Sequence, residues 1–185
     1  MPTLETARIR LRSLDERDAD FIVCLENDED MWAFGDTRAP YPESIIRSYV
    51  QTYDPDPLRA GQLRLIIEEK TTSEAVGTID ITDIDAHALT CCIGIAVTGS
   101  RRRNGIAKEA ISWIEVYCDK WLGICNLRAD VAEGNEAARS LFLSAGYNSA
   151  GILRRWLRIG GNIVDMEIFQ KRTSVETGAS GNDKP

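Results

Sequence analysis

With 185 residues, 43% of them hydrophobic, the chain suits one domain around one core. A net charge of −7 argues against general nucleic-acid binding, and no apolar run approaches the roughly 20 residues that cross a bilayer. One histidine and five cysteines without a C-x-x-C pair give no spacing for a zinc site or a disulfide framework, so no metal is expected and the thiols are expected to be buried and reduced.

The N-terminus alternates apolar and charged residues and lacks the apolar core of a signal peptide, which predicts a cytoplasmic address. That alternation reads as a strand over 7–14. Ser13 and Glu16 suggest a capping box for a helix striped by Phe21, Ile22 and Leu25. A second helix is expected behind Pro42, with Ile45, Ile46, Tyr49, Val50 and Tyr53 at helical spacing, followed by a loop, "DPDPLRAG". Three β-branched segments, 62–70, 74–85 and 91–98, read as an antiparallel meander. After "RRRNG" a long helix carries Ile106, Ala110, Trp113, Ile114, Tyr117, Cys118 and Trp121 on one face. A strand over 126–133, a short helix striped by Ala138, Leu141, Phe142 and Ala145, and a hairpin turning at Gly160-Gly161 complete the order. The domain is expected to span 1–172 and the Ser/Thr/Gly-rich remainder, 173–185, to be a disordered tail. The layout is α+β: a mixed, largely antiparallel sheet with helices on its faces.

Charge is unevenly spread. Residues 1–97 hold 9 Lys+Arg against 19 Asp+Glu, whereas residues 98–172 hold 12 against 8. The basic concentration peaks in "GSRRRNG", between the end of a strand near Thr98 and the start of a helix near Gly105. A helix start exposes N–H groups without intrahelical partners, and its dipole adds roughly half a positive charge. Gly105 and Ala107 leave room for a ligand, and Arg101, Arg102 and Arg103 add formal charge. The pattern describes an anion site. Neither G-x-x-x-x-G-K-[ST] nor G-x-G-x-x-G is present, so nucleotide readings lose their main support. A charged turn that merely caps a helix fits the local pattern equally well.

The run Arg102, Arg103, Asn104, Gly105, Ile106, Ala107 resembles the R/Q-x-x-G-x-G/A motif of the GNAT N-acetyltransferases. "NLRADVAEGNEAARSLFLSAGY" resembles their second signature, and "GILRRWLRIGGNIVDMEIFQ" resembles the final hairpin of the ribosomal-protein and spermidine acetyltransferase branch. The resemblance covers residues 7–171. It implies a sheet splayed between the fourth and fifth strands, with acetyl-CoA as co-substrate. Ile95, Ala96 and Val97 would pair with the pantetheine arm. Arg102, Arg103, Asn104, Gly105, Ile106 and Ala107 would bind the pyrophosphate, and Asn135, Ala138 and Phe142 would flank the cysteamine end. An amine would attack the thioester directly, with a backbone N–H near Val97 steadying the oxyanion.

Many relatives place a tyrosine acid where this chain has Phe142, and a glutamate base where it has Cys91 and Cys92. Asp80 and His87 are the remaining candidate catalytic residues, beside Asp83 and Asp85, and Trp156 with Arg154 and Arg155 could line the acceptor site. The acceptor is expected to be a primary amine, such as a protein N-terminus, a polyamine or another small cation, with no nucleic-acid or membrane partner and a monomeric or homodimeric state. A cofactor-binding sensor without acyl transfer, and an anion-binding regulatory domain, are the competing readings.

Overall fold

The computed structural model describes residues 5–32, 34 and 39–173. Its elements are β1 (Ile9–Ser13), α1 (Ala19–Glu26), α2 (Glu29–Trp32), α3 (Glu43–Gln51), α4 (Pro57–Ala60), β2 (Leu63–Glu69), β3 (Glu74–Asp85), β4 (Thr90–Val97), α5 (Ile106–Tyr117), β5 (Asn126–Ala132), α6 (Glu136–Ser144), β6 (Asn148–Ile159) and β7 (Asn162–Arg172). One seven-stranded sheet runs β1-β2-β3-β4-β5-β7-β6. Every neighbour is antiparallel except β4 with β5. That parallel pair is joined by α5, the crossover that parallel strands require.

Alternation along the strands divides the side chains between two faces. Leu65, Ile79, Ile81, Ile93, Leu127 and Ala129 point to the face covered by α5 and α6, where Ile106, Ala110, Ile111 and Ile114 meet them in the larger core. On the other face, a smaller core joins Ile66 to Ile22 of α1 and Ile46 and Val50 of α3. Charge holds part of the rest of that face. Arg12 (β1) holds Asp18 at 2.6 Å and Glu68 (β2) at 2.5 Å, with Asp18 and Glu68 both nearly inaccessible. Removing one partner of such a buried group leaves an uncompensated charge, so Arg12→Met is expected to lose about 3–5 kcal/mol of stability, to be read by urea unfolding.

Several sequence expectations shift. Ser13 stays in β1, and the capping box is formed by Asp15 and Asp18 around a 3-10 turn before α1. "DPDPLRAG" contains α4, because Asp56 caps the N–H groups of Leu58 and Arg59 and Pro57 starts the turn. Ile45 and Trp121 lie outside their stripes and are exposed; Trp121 follows α5 in a π-turn over Cys118–Leu122 that rotates the face. Thr173, taken from sequence as the first residue of the tail, is anchored: its N–H donates to Cys125 O and its hydroxyl contacts Asp119. The rest of the expected tail, 174–185, lies outside the described residues. All five cysteines are free, and Cys24 is exposed where burial was expected.

Candidate active site

The sheet splits where β4 leaves β5. The two pair only at Thr90↔Asn126, Cys91↔Leu127 and Cys92↔Arg128, although β4 continues to Val97 and β5 to Ala132. Thr98 N–H donates to Val76 O, which makes Thr98 a hydrogen-bonded partner of Val76. By antiparallel alternation, Ala96 and Gly94 then spend their backbone groups on β3, while Ile93, Ile95 and Val97 turn theirs toward the split. Ile95, with both its N–H and C=O, and Val97, with its N–H alone because Arg102 holds its carbonyl, therefore offer ladder groups to an extended ligand with amides of its own. Ala96, expected from sequence to share that role, is committed to its β3 partner Thr78.

The split opens toward the start of α5. Arg103 and Gly105 both adopt positive φ, 62° and 79°, and turn the chain into the helix. The first helical bond runs from Glu109 N–H to Gly105 O. Among the described residues, the N–H groups of Arg103, Asn104, Gly105, Ile106, Ala107 and Lys108 have no acceptor. Arg102 reaches back from this turn, donating from Nε to Val97 O at 3.0 Å, and lies 3.6 Å from Asp30. Unpartnered N–H groups and an arginine thus gather at the turn where the sequence pattern led one to expect an anion site. Arg8 of the segment before β1, which the sequence pattern did not bring to this turn, adjoins it: its guanidinium donates to Asn104 O at 2.8 Å, pairs with Glu109 and lies 3.1 Å from where a Gly105 Cβ would stand.

Other expected site residues are placed differently. Asn135 caps α6, with Oδ1 accepting from Ala138 N–H at 3.0 Å, which leaves its Nδ2 without an acceptor among the described residues. Phe142 is 4% exposed, with Tyr147 5.1 Å away edge-on and Phe169 stacked at 6.3 Å. Its ring is packed in the core. Phe142→Tyr is expected to leave turnover unchanged and to lower stability by about 1–3 kcal/mol through an unpaired buried hydroxyl, checked by parallel rate and thermal-melt measurements.

The two candidate bases lie apart. His87 sits in the exposed β3–β4 turn, its backbone N–H held by Asp85. Asp80 stands in mid-strand opposite Gly94, with both oxygens taken by Arg64 at 2.8 and 3.0 Å. Arg64 also holds Glu26 of α1 at 2.6 Å. Burial opposes the Arg64 charge, but Asp80 and Glu26 more than offset it and raise its pKa.

A carboxylate that sequence reading passed over is Asp130 on β5. Arg128 and Asp130 project to the α1 and α3 face, opposite Leu127 and Ala129, and Arg128 bridges Asp130 at 3.0 Å and Asp83 at 2.7 Å. Following the register, Cys92 faces Arg128 on the last paired rung, so Gly94 and Asp130 are the first positions across the split on that face. Asp80 flanks Gly94 on the other side. The β5 alternation already visible in "NLRADVAE" put Asp130 on this face; the missing signal was the rung at which the sheet opens.

Two residues after α1 lie near the cleft: Met31 meets Arg102, and the Phe34 ring lies 3.9 Å from the Cβ position of Gly134. A recess beside it is lined by Glu133, Asn135, Arg154, Asp165 and Glu167. Trp156, offered from sequence as a lining residue of the acceptor site, is 63% exposed. Asp165 holds the β6 bulge that presents it, accepting from Arg155 N–H at 2.7 Å and Arg154 Nη1 at 2.5 Å. A larger groove, between Arg12, Phe21, Val76 and Arg101, has its arginines already paired with carboxylates.

A family model described as an acetyltransferase (GNAT) domain matches residues 8–148. An uncharacterised N-acetyltransferase, YoaA of Bacillus subtilis, is 31% identical over 169 residues, 91% of this chain and 95% of that protein. Among solved structures, a ribosomal-protein-S5-alanine acetyltransferase from Vibrio fischeri superposes with a TM-score of 0.83 at 14% identity, covering 94% of this chain and 98% of that one. The spermidine N-acetyltransferase of Vibrio cholerae, solved with CoA and spermine, gives 0.79 at 19% identity over 90% of this chain and 96% of its own. A sheet split beside a helix start with unpartnered N–H groups, a family model over most of the chain and a relative of this identity make the chain a member of the GNAT family, acetyltransferases with acetyl-CoA as co-substrate.

Proposed function

We propose that the chain transfers the acetyl group of acetyl-CoA to a primary amine that is positively charged before it loses its proton. The observation that carries this is the opening between β4 and β5, with a cationic cradle at one end and carboxylates along one face. Arg102 and the free N–H groups of 103–108 would hold the pyrophosphate. Ile95 and Val97 would pair with the pantetheine arm, one of their N–H groups meeting the developing oxyanion. Asn135 Nδ2 would face the cysteamine end, with Ala138 behind it on α6. The fit rests on unpaired donors at the cradle and unpaired ladder groups on β4.

The acceptor would lie on the α1 and α3 face, near Glu26, Asp80, Asp83 and Asp130. A field of that sign concentrates cations and repels anions. A protein N-terminus, a polyamine or another small cationic amine would fit. The functional unit is residues 1–172 read as one domain, acting in the cytoplasm as a monomer or homodimer. kcat/KM for matched amines of differing charge, at low and high salt, tests the acceptor class. Cationic amines are expected to be favoured at least tenfold at low salt, with the preference shrinking as salt screens charges beyond about 8 Å. Equal rates for cationic and anionic amines, independent of salt, would refute it. A cofactor-binding sensor is the second reading, favoured by Phe142 and Cys92 at positions where relatives carry proton-transfer groups; coenzyme A binding without thiol release in an amine panel would establish it.

A further inference from the structure

We infer that Asp130 is the proton acceptor for the incoming amine, a role for which sequence reading offered Asp80 and His87. The inference rests on the acetyltransferase reading above and assigns one residue within it.

The register supplies the geometry. Across the sheet, one row on the α1 and α3 face runs Arg64, Asp80, Gly94, then the split, then Asp130. Gly94 is the floor of this row: a Cβ there would meet only Asp80 Cβ, at 3.8 Å, so the space above it is open. Adjacent strands lie about 4.8 Å apart, which sets the two flanking carboxylates roughly 10 Å or more from each other. An amine over Gly94 would reach either side, and it would stand beside the β4 edge along which the thioester arm runs.

The two carboxylates are not equivalent. Asp80 has both oxygens engaged by Arg64, which is also held by Glu26. That triad is a fixed charge that orients a cation without taking its proton. Among the described residues Asp130 is held from one side only, by Arg128, and its side chain is 25% accessible. The charged and titratable groups facing it are Arg128 on its own strand, Cys92 on β4 and Asp83 on β3. Burial lifts its carboxyl above the ordinary value; Arg128 offsets part of the rise and Asp83 adds to it. A raised pKa brings a carboxylate closer to the pH at which a base is most effective.

In the step, an ammonium N–H bond breaks and its proton moves to an Asp130 oxygen. The freed nitrogen lone pair forms the C–N bond at the thioester carbonyl. The tetrahedral intermediate collapses, the C–S bond breaks, and the thiolate takes the second nitrogen proton to leave as coenzyme A. Asp130 returns its proton to water. The products are the acetylated amine, free coenzyme A and one proton.

The test uses the full chain with acetyl-CoA, and with spermidine and a short peptide bearing a free N-terminus as acceptors. Asp130→Asn is expected to lower kcat/KM by at least 100-fold with both, while coenzyme A affinity stays within threefold. The acidic limb of the wild-type pH profile, where activity climbs as Asp130 deprotonates, should vanish in that variant. It should persist in Asp130→Glu, and move to higher pH in Arg128→Gln because the neighbouring cation is lost. A purely structural Asp130 would leave the limb in place and lower the melting temperature of Asp130→Asn; that result, or kcat/KM within threefold of wild type, overturns the assignment. Wild-type protein that binds coenzyme A yet acetylates neither acceptor overturns the transfer reading first and this assignment with it.

Discussion

Gly77→Ala is expected to lower thermal stability and coenzyme A affinity together. Gly77 lies on β3 opposite Val97, and a Cβ there would stand 2.3 Å from the carbonyl oxygen of Ala96. That obstacle is backbone, so no side-chain rotation relieves it, and β4 itself must move. The displaced stretch is the one that turns Ile95 and Val97 toward the split and supplies the carbonyl held by Arg102. Overpacking of this kind costs about 1–3 kcal/mol, roughly 2–12 °C in melting temperature for a protein of this size. Affinity for coenzyme A should fall at least tenfold, because ladder groups and the anion cradle shift with the same strand. Gly151→Ala is the matched control: it lies on edge strand β6 with no atom within 4 Å of its Cβ position, and should leave both quantities unchanged. A calorimetric titration in which Gly77→Ala binds coenzyme A as wild type does would separate this strand from cofactor binding.

The parts of the fold that depend on local pattern were legible in the sequence. The meander over 62–98, the start of α5 at Gly105 and the hairpin at Gly160-Gly161 all follow from period-two alternation, amphipathic spacing and turn residues, and the observed strands agree within two residues at each end. The α1 and α3 face was less legible because much of it is held by ion pairs. Arg12, Glu68, Arg64 and Asp80 look like solvated charges in a strand, and only pairing across β1, β2 and β3 shows that they satisfy one another. The same limit hid Arg8, whose partners Asn104 and Glu109 lie about a hundred residues away. Phe142 was read as a substituted catalytic position, but its burial against Tyr147 and Phe169 depends on where β7 lies, which α6 alone does not reveal. Asp130 was passed over for the converse reason: its significance comes from the rung at which β4 and β5 part, and a strand's pattern does not say where its partner leaves it.

Gly105 tests the cradle most directly, provided its backbone role is separated from its role in making space. At φ 79° any side chain is strained, and left-handed backbone costs an L-residue about 1–2 kcal/mol. Gly105→Val therefore loses stability whether or not phosphate binds there, and weaker binding by that variant alone would be ambiguous. Gly61 provides the reference: it ends α4 at φ 70°, with nothing within 4 Å of its Cβ position and no part in the split. Gly61→Ala and Gly105→Ala should lose similar stability in urea unfolding. Only Gly105→Ala should lose coenzyme A affinity, by tenfold or more, about 1.4 kcal/mol. Its new methyl stands where the anion would approach the unpartnered N–H groups, and at 3.1 Å it also presses on the Arg8 guanidinium. Arg8 is a flexible, half-exposed side chain that can swing away, so the fold tolerates the methyl even though the ligand does not. Dephospho-coenzyme A retains the pyrophosphate and lacks only the ribose phosphate, so it should show the same loss; pantetheine, which lacks the pyrophosphate, should bind both variants as it binds wild type. If Gly105→Ala and Gly61→Ala bind coenzyme A equally well, the turn at 102–107 caps a helix and holds no phosphate.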